Sequence, residues 1–296
     1  MANDALTPTP RQSRLMEMGL PNNNPGARIL GSTISNVEDD PNEYCIINGD
    51  EIKRITVDGS LISVRDRTFI PTVLSVVPPF PSGNWNTGYV DRDCRTGKAV
   101  FSSMRNVQLG AAQIIWHPGG REFAEFQYLR PITAQVSLAW HPCIGLVILK
   151  IADCERVINN FVDETNMYGW IEGHDIGPRF LGHLMDHGIP FGIILEYIKD
   201  ARQAEPKDLK ACQKVLDKLH SLGIRHSDIQ THFLIRKNGD AVLISFSCAT
   251  QNAPKDDLEA ESQQLVELLQ VPYPAAAVSS AVLGGAWGAY GAASRT

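Results

Sequence analysis

The stretch "EYCIINGDEIKRITVDGSLISVRD", from Glu43 to Asp66, alternates apolar and polar positions and is interrupted by Asn48-Gly49 and Asp58-Gly59. A period of two broken by such dipeptides predicts β-hairpins. The loop "PPFPSGNWNTG" follows, punctuated by Pro and Gly. Three short strands are predicted next, "FAEFQYLRP", "AQVSLAWH" and "GLVILKIA", arranged as a meander. The period then changes. Val157, Ile158, Phe161, Val162, Met167, Trp170 and Ile171 recur near helical spacing. Two more strands, in "RFLGHLMDHG" and "FGIILEYI", precede an amphipathic helix with a stripe of Leu209, Cys212, Val215, Leu216 and Leu219 and a C-terminal stop at Gly223. The strands "FLIR" and "AVLIS" must pair. A last helix is predicted in "DDLEAESQQLVELLQ", with Asp256 or Asp257 as its cap. Strands and helices in this order, without an internal repeat, predict an α+β fold.

Residues 1–43 are rich in Pro, Asn, Ser and Thr and poor in large apolar residues, which predicts a disordered arm whose removal leaves stability nearly unchanged. Residues 273–296 form a small, Ala/Gly-rich tail expected to be flexible and a poor membrane span, with a weak membrane or partner contact as the alternative. The formal net charge of −6 lacks the basic footprint of a nucleic-acid binder. Six cysteines show no CxxC pair and no zinc spacing, and the N-terminus has no apolar core of a secretory signal. Reduced thiols and a cytoplasmic location are the expectation, with no transmembrane segment.

Chemistry concentrates in "RHSDIQTHFLIRKNGDAVLISFSCAT", from Arg225 to Thr250. A His226-Ser227-Asp228 turn follows a helix and precedes a β-hairpin that ends in Ser245-Phe246-Ser247. Upstream, Lys150 ends the strand "VILK", and Glu164 lies in the following helix pattern. A lysine neutralises phosphates, a helix carboxylate holds that lysine, and an aspartate orients the attacking hydroxyl in a phosphoryl-transfer site.

From about Tyr44 to about Gln251 the sequence resembles a family of short protein-kinase-like proteins of filamentous fungi, related to aminoglycoside phosphotransferases. The stretches "GNWNTG", "TGKAVFSS", "WHP", "GPRFLGHL" and "LEYIKDARQAEPKDLKACQKVLDKLHSLGIRHSD" carry the resemblance. Some such proteins carry an α-galactosidase-type label, but no carboxylate pair at a glycosidase spacing supports it. The resemblance implies a kinase-like fold with a β-rich N-terminal extension over 44–121, an N-lobe over 122–200 and a truncated C-lobe over 201–272. It implies that Lys150 and Glu164 form a vestigial nucleotide site, that Asp228 is the catalytic-loop aspartate and that His226 braces that loop.

The departures from the family pattern decide the expected function. "DIQTHFLI" lacks the asparagine that follows the His-x-Asp, with His232 or Phe233 in its place. Ser245 and Ser247 stand where the family carries metal-binding carboxylates, and magnesium wants hard anionic oxygens. "YLRPITAQVSLAW" has no glycine for close approach to phosphates. The expectation is a degenerate, pseudokinase-type protein with no metal and no cofactor, binding a small-molecule ligand or a protein partner. The alternatives are a cleft repurposed for metal-free cyclase or isomerase chemistry in specialised metabolism, with Asp228, His226 or His232 as acid–base groups, and residual ATP-dependent phosphotransfer. Lys150–Glu164 reads equally as a structural ion pair, and Asp228 as a loop brace. Trp85, Trp116 and Trp140 are expected in core or lid packing, and "KDARQAEPKD" as a solvated linker.

Overall fold

The structure, a computed structural model, describes residues 21–49, 51–107, 116–133, 135–152 and 158–270. The tail 273–296 and the first 20 residues of the expected arm lie outside the described residues, as does Val157. The chain divides into two compact units, Met1–Val107 and Gln108–Thr296. The division falls at Val107/Gln108, ahead of the boundary expected after residue 121.

The first unit is a five-stranded sheet in sequential order: β1 (Arg28–Thr33), β2 (Asn42–Asn48), β3 (Glu51–Val57), β4 (Thr87–Arg92) and β5 (Ala99–Arg105). The Asn48-Gly49 turn closes the expected β2–β3 hairpin, in which Ile46 faces Lys53 and Ile47 faces Ile52. Asp58-Gly59 does something else. The Asp58 carboxylate accepts the Ser60 N–H at 3.0 Å and starts a single 3-10 turn. The chain then crosses over through α1 (Ile70–Val76), so β4 lies parallel to β3. Tyr44, Ile46, Ile55, Val57, Val73, Trp85 and Val90 form the core.

The expected arm is corrected over its second half. Residues 28–33 form strand β1, with Ala27 and Leu30 buried. Polarity misled here because the segment is held by hydrogen bonds. The Asn24 amide donates to Pro78 O at 2.9 Å and accepts the Phe80 N–H at 2.8 Å, and Asn23 donates to Ser75 O at 2.8 Å. Arg67 is fully buried and donates all five of its N–H groups to main-chain carbonyls, those of Ile62, Ser35, Val37, Glu38 and Gly59. It pins the 35–38 loop onto the sheet.

The second unit is built on a six-stranded sheet: β6 (Gly120–Glu122), β7 (Gln127–Pro131), β8 (Val136–His141), β9 (Gly145–Ile151), β10 (Phe180–Asp186) and β11 (Ile189–Glu196). The spatial order is β6-β10-β11-β9-β8-β7, antiparallel except for the β6–β10 edge. The meander and the later hairpin form where the short strands and their turn-like breaks predict them. Helix α2 (Ile158–Trp170) connects β9 to β10. Beyond β11, β12 (Arg202–Gln203), β14 (Phe233–Ile235) and β15 (Ala241–Leu243) form a small sheet, and β13 (Ile224–Arg225) pairs with β16 (Thr250–Gln251). The mixed, segregated elements make this an α+β architecture.

Helix α3 (Leu209–Ser221) buries Cys212, Val215, Leu216 and Leu219 of the predicted stripe, and its Leu209 is partly buried. Gly223 stops it with φ 71°, a left-handed conformation that glycine adopts without steric cost, and its N–H bonds His220 O at 2.8 Å. Helix α4 (Lys255–Gln270) starts earlier than its expected caps, so Asp256 and Asp257 lie inside its first turn, where they favour the helix dipole. The supposed solvated linker is also ordered. Arg202 pairs with both Asp208 oxygens at 2.6 and 2.8 Å while β12 pairs with β14. Among the described residues, no helix is long and apolar enough to cross a membrane.

Candidate functional site

Lys150 lies near the end of β9, between Val136 of β8 and Ile193 of β11 in register. Its ammonium forms an ion pair with Glu164 Oε2 of α2. Both side chains are buried. The other carboxylate oxygen, Glu164 Oε1, is buried without a hydrogen-bond partner. One turn further along α2, on the same face as Glu164, stands Tyr168.

Tyr168 is the middle of an aromatic column. Its ring lies 5.9 Å from Phe180 of β10 and 5.3 Å from Phe246, edge-on to the latter. Phe246 lies 5.2 Å from His226, and His226 lies 5.8 Å from His232. The column therefore links α2, the helix that carries Glu164, to the His226–Asp228 turn. Trp116 caps it from the side, 4.7 Å from Phe180, and donates its Nε1–H to Thr165 O at 2.8 Å. Trp116 and Trp85 are packed as expected. Trp140 is not: it is 41% exposed, opposite the equally exposed Leu146.

The His226 ring and the main-chain N–H groups of the turn are all engaged. His226 has no exposed surface. Its Nε2 donates to Ile244 O at 3.0 Å, and its Nδ1 accepts the Asp228 N–H at 3.3 Å. These partners require the neutral imidazole with the proton on Nε2. Burial, followed by the neighbouring His232, lowers its pKa to about 4. His232 donates from Nδ1 to Asp228 O at 2.7 Å, with Asp228 Oδ1 at 3.6 Å. That imidazole holds the Asp228 carboxyl below the usual range, against a smaller opposing effect of burial. The Asp228 side chain is 41% exposed. It is thus a reachable, ionised carboxylate, braced by its loop and weakly basic.

The residue that suspends this turn is Glu261 of α4. Its Oε2 accepts the His226 N–H at 3.0 Å and the His220 Nε2–H at 2.8 Å, and its Oε1 accepts the Ser227 N–H at 2.6 Å. Burial raises the Glu261 pKa, but these hydrogen bonds outweigh it and the net shift is downward. Reasoning from motifs missed Glu261. A signal was present, because Leu258, Glu261, Leu265 and Leu268 recur at helical spacing and put a carboxylate on an apolar face.

At the end of the β14–β15 hairpin, Ser245 and Ser247 are half-buried and flank Phe246, which is fully buried. Ser245 has φ 69° and ψ 69°, and Ser227 has φ 66°; both are left-handed positions that strain a residue with a Cβ. The β7–β8 turn is closed by Thr133, whose Oγ1 accepts the N–H groups of Gln135 and Val136 at 3.2 and 3.1 Å. Among the described residues, no group of three or more His, Cys, Asp or Glu side chains is placed to hold a metal ion. No protein-family model matches the chain, and no curated protein matches it.

Proposed function

We propose that the second unit is a kinase-like module that has lost metal-dependent phosphotransfer and serves as a metal-independent binding protein for a small ligand or a partner. The strand order β7-β8-β9-β11-β10, the helix between β9 and β10, the lysine on β9 paired to that helix and the His-x-Asp turn before a hairpin all support the kinase-like reading. The observation that carries the loss of chemistry is the turn Ser245-Phe246-Ser247. Its phenylalanine is retained as packing, while both flanking positions offer neutral hydroxyls, poor ligands for a hard divalent cation. The burial of Lys150 in its ion pair supports a structural role for that lysine. Calorimetric titration of ATP, with magnesium and with a chelator, tests the reading. The expected result is no magnesium-dependent gain in affinity, and a large gain would overturn it.

A second reading, a cleft repurposed for metal-free acid–base chemistry on a small molecule, draws on the exposure of Asp228. Its lowered pKa counts against a general base, which works best near the operating pH. If this reading holds, Asp228→Asn abolishes turnover and leaves the fold intact.

A further inference from the structure

The His226 ring is placed so that only its uncharged form fits. Nδ1 must accept, because the Asp228 N–H points at it, and Nε2 must donate, because Ile244 offers only a carbonyl. A second proton would put one N–H against another inside a site with no exposed surface. The ring cannot shed that conflict by a small rotation, since Phe246 and His232 pack on it. It must leave, and Phe246 loses a ring that packs on it.

We propose that the His226 turn is an acid-operated latch: protonation of His226 expels its ring from beneath Phe246, opens the 226–233 and 244–248 loops together, and frees the aromatic column that steadies α2 and Glu164. Five charged or titratable groups surround it. Asp228 and His232 face the ring from its own turn. Glu261 faces the main chain of the turn from α4. His220 of α3 and Arg225 of β13 reach it through Glu261, at 2.8 and 4.0 Å. The two carboxylates favour a charged ring; burial and His232 oppose it, and these prevail. The turn is poised to open because it stores strain at Ser227, next to His226 in the chain, and at Ser245, next to its acceptor Ile244, both left-handed. The latch does not depend on what the cleft binds, so it stands or falls apart from the function proposed above.

Hydrogen exchange of the full chain, followed residue by residue from about pH 7 to about pH 4, tests this. Protection factors remove the intrinsic pH dependence of exchange. As pH falls from 6.5, where an open imidazole takes up its proton, toward about 4, they should fall about tenfold per pH unit for amides of 226–233 and 244–248, the signature of one proton taken up on opening. Amides of β8 and β9, which open only when the whole unit unfolds, should stay far better protected than the loops at every pH in this range. The His226 Cε1–H resonance, followed in parallel, should titrate with the same midpoint as the loop. His226→Gln, which cannot be protonated, should abolish the local transition, while His183→Gln should leave it in place. Should His226→Gln fail to fold, the coincidence of the ring and loop midpoints still decides. A loop that stays protected until the whole unit unfolds would overturn the proposal. So would a ring that titrates while loop protection stays constant.

Discussion

Lys150 of β9 and Glu164 of α2 form an ion pair that solvent scarcely reaches, with side chains 9% and 2% exposed. Desolvating two charges costs much of what their attraction returns, and the unpartnered Glu164 Oε1 adds to the cost. Removing one partner strands the other charge. Lys150→Met is therefore expected to cost about 3–5 kcal/mol of stability. The double variant Lys150→Met/Glu164→Leu should recover most of that loss, because no buried charge remains. Urea denaturation of the three proteins measures it. A double variant as unstable as the single one would show that the pair contributes more than it costs.

The strand that carries Lys150 was legible as a short apolar run between turn-like breaks, and the helix that carries Glu164 by the change to helical spacing. The short apolar runs of β8 and β9 and the stripe of α3 leave few other solutions, and Lys150, Glu164, Asp228, His226 and His232 were singled out through the positions that the kinase-like resemblance gives them. What escaped notice was held by polar bonds. Asn23 and Asn24 stand in a stretch that looks unstructured, yet their amides tie it to the end of α1 and the loop beyond. Arg67 shows no pattern, since its partners are carbonyls, which every residue carries. Glu261 was visible only as a carboxylate on an apolar stripe.

Arg67 should be the most sensitive single position of the first unit. A guanidinium offers five N–H groups in a fixed fork, and here all five are used on main-chain carbonyls. Lysine can satisfy at most about three of them from a point charge. Arg67→Lys should thus lose about 2–4 kcal/mol, through unpaired carbonyls and a misfitted buried charge. Thermal unfolding monitored by near-UV signal from Trp85 reports it. A loss below about 1 kcal/mol would mean that water replaces the fork at little cost.

The N-terminal segment should matter, contrary to its composition. Deleting residues 1–41 removes β1 and both asparagine clamps, and exposes the edge of β2, which pairs with β1 from Glu43 to Ile47. A drop of many degrees in melting temperature is expected. Asn24→Ala alone, which leaves Pro78 O and the Phe80 N–H unpaired, should cost about 1–3 kcal/mol. Unchanged melting on deletion would return the segment to the status of a loose arm.

Acid should destabilise the second unit well before its carboxylates titrate. His183 is buried, and its pKa is lowered from 6.5 to about 4 by burial and then by His117; His226 falls to the same value by burial and then by His232. Unfolded histidines take up protons below pH 6.5, while the folded ones resist until about 4. Their stabilisation is complete above the unfolded value and is lost as pH falls toward the folded one. Each should contribute a slope of about 1.4 kcal/mol per pH unit in that window. Denaturant titrations at several pH values measure the sum, and His183→Gln should remove about half of it. Stability that is flat between neutral pH and pH 5 would show that neither ring is held neutral by the fold.

Glu261 offers the sharpest test of how the His226 turn is built. Three donors converge on its two oxygens: two main-chain N–H groups and the His220 ring. Gln is usually a gentle replacement for Glu, but here its amide would turn an N–H₂ toward donors on one side. Glu261→Gln should therefore be nearly as harmful as Glu261→Ala, at about 2–4 kcal/mol, since hydrogen bonds to a charged acceptor are the stronger kind. The damage should be local first. Amides of His226 and Ser227 should lose protection in the Gln variant, while those of β9 and β11 change little. The Asp228 carboxyl is held mainly by His232, so it should keep its lowered pKa if the turn survives and rise toward the ordinary value if the turn comes apart. Intact protection at His226 and Ser227 in Glu261→Gln would mean that the turn is held by the column alone, with Phe246 as its anchor.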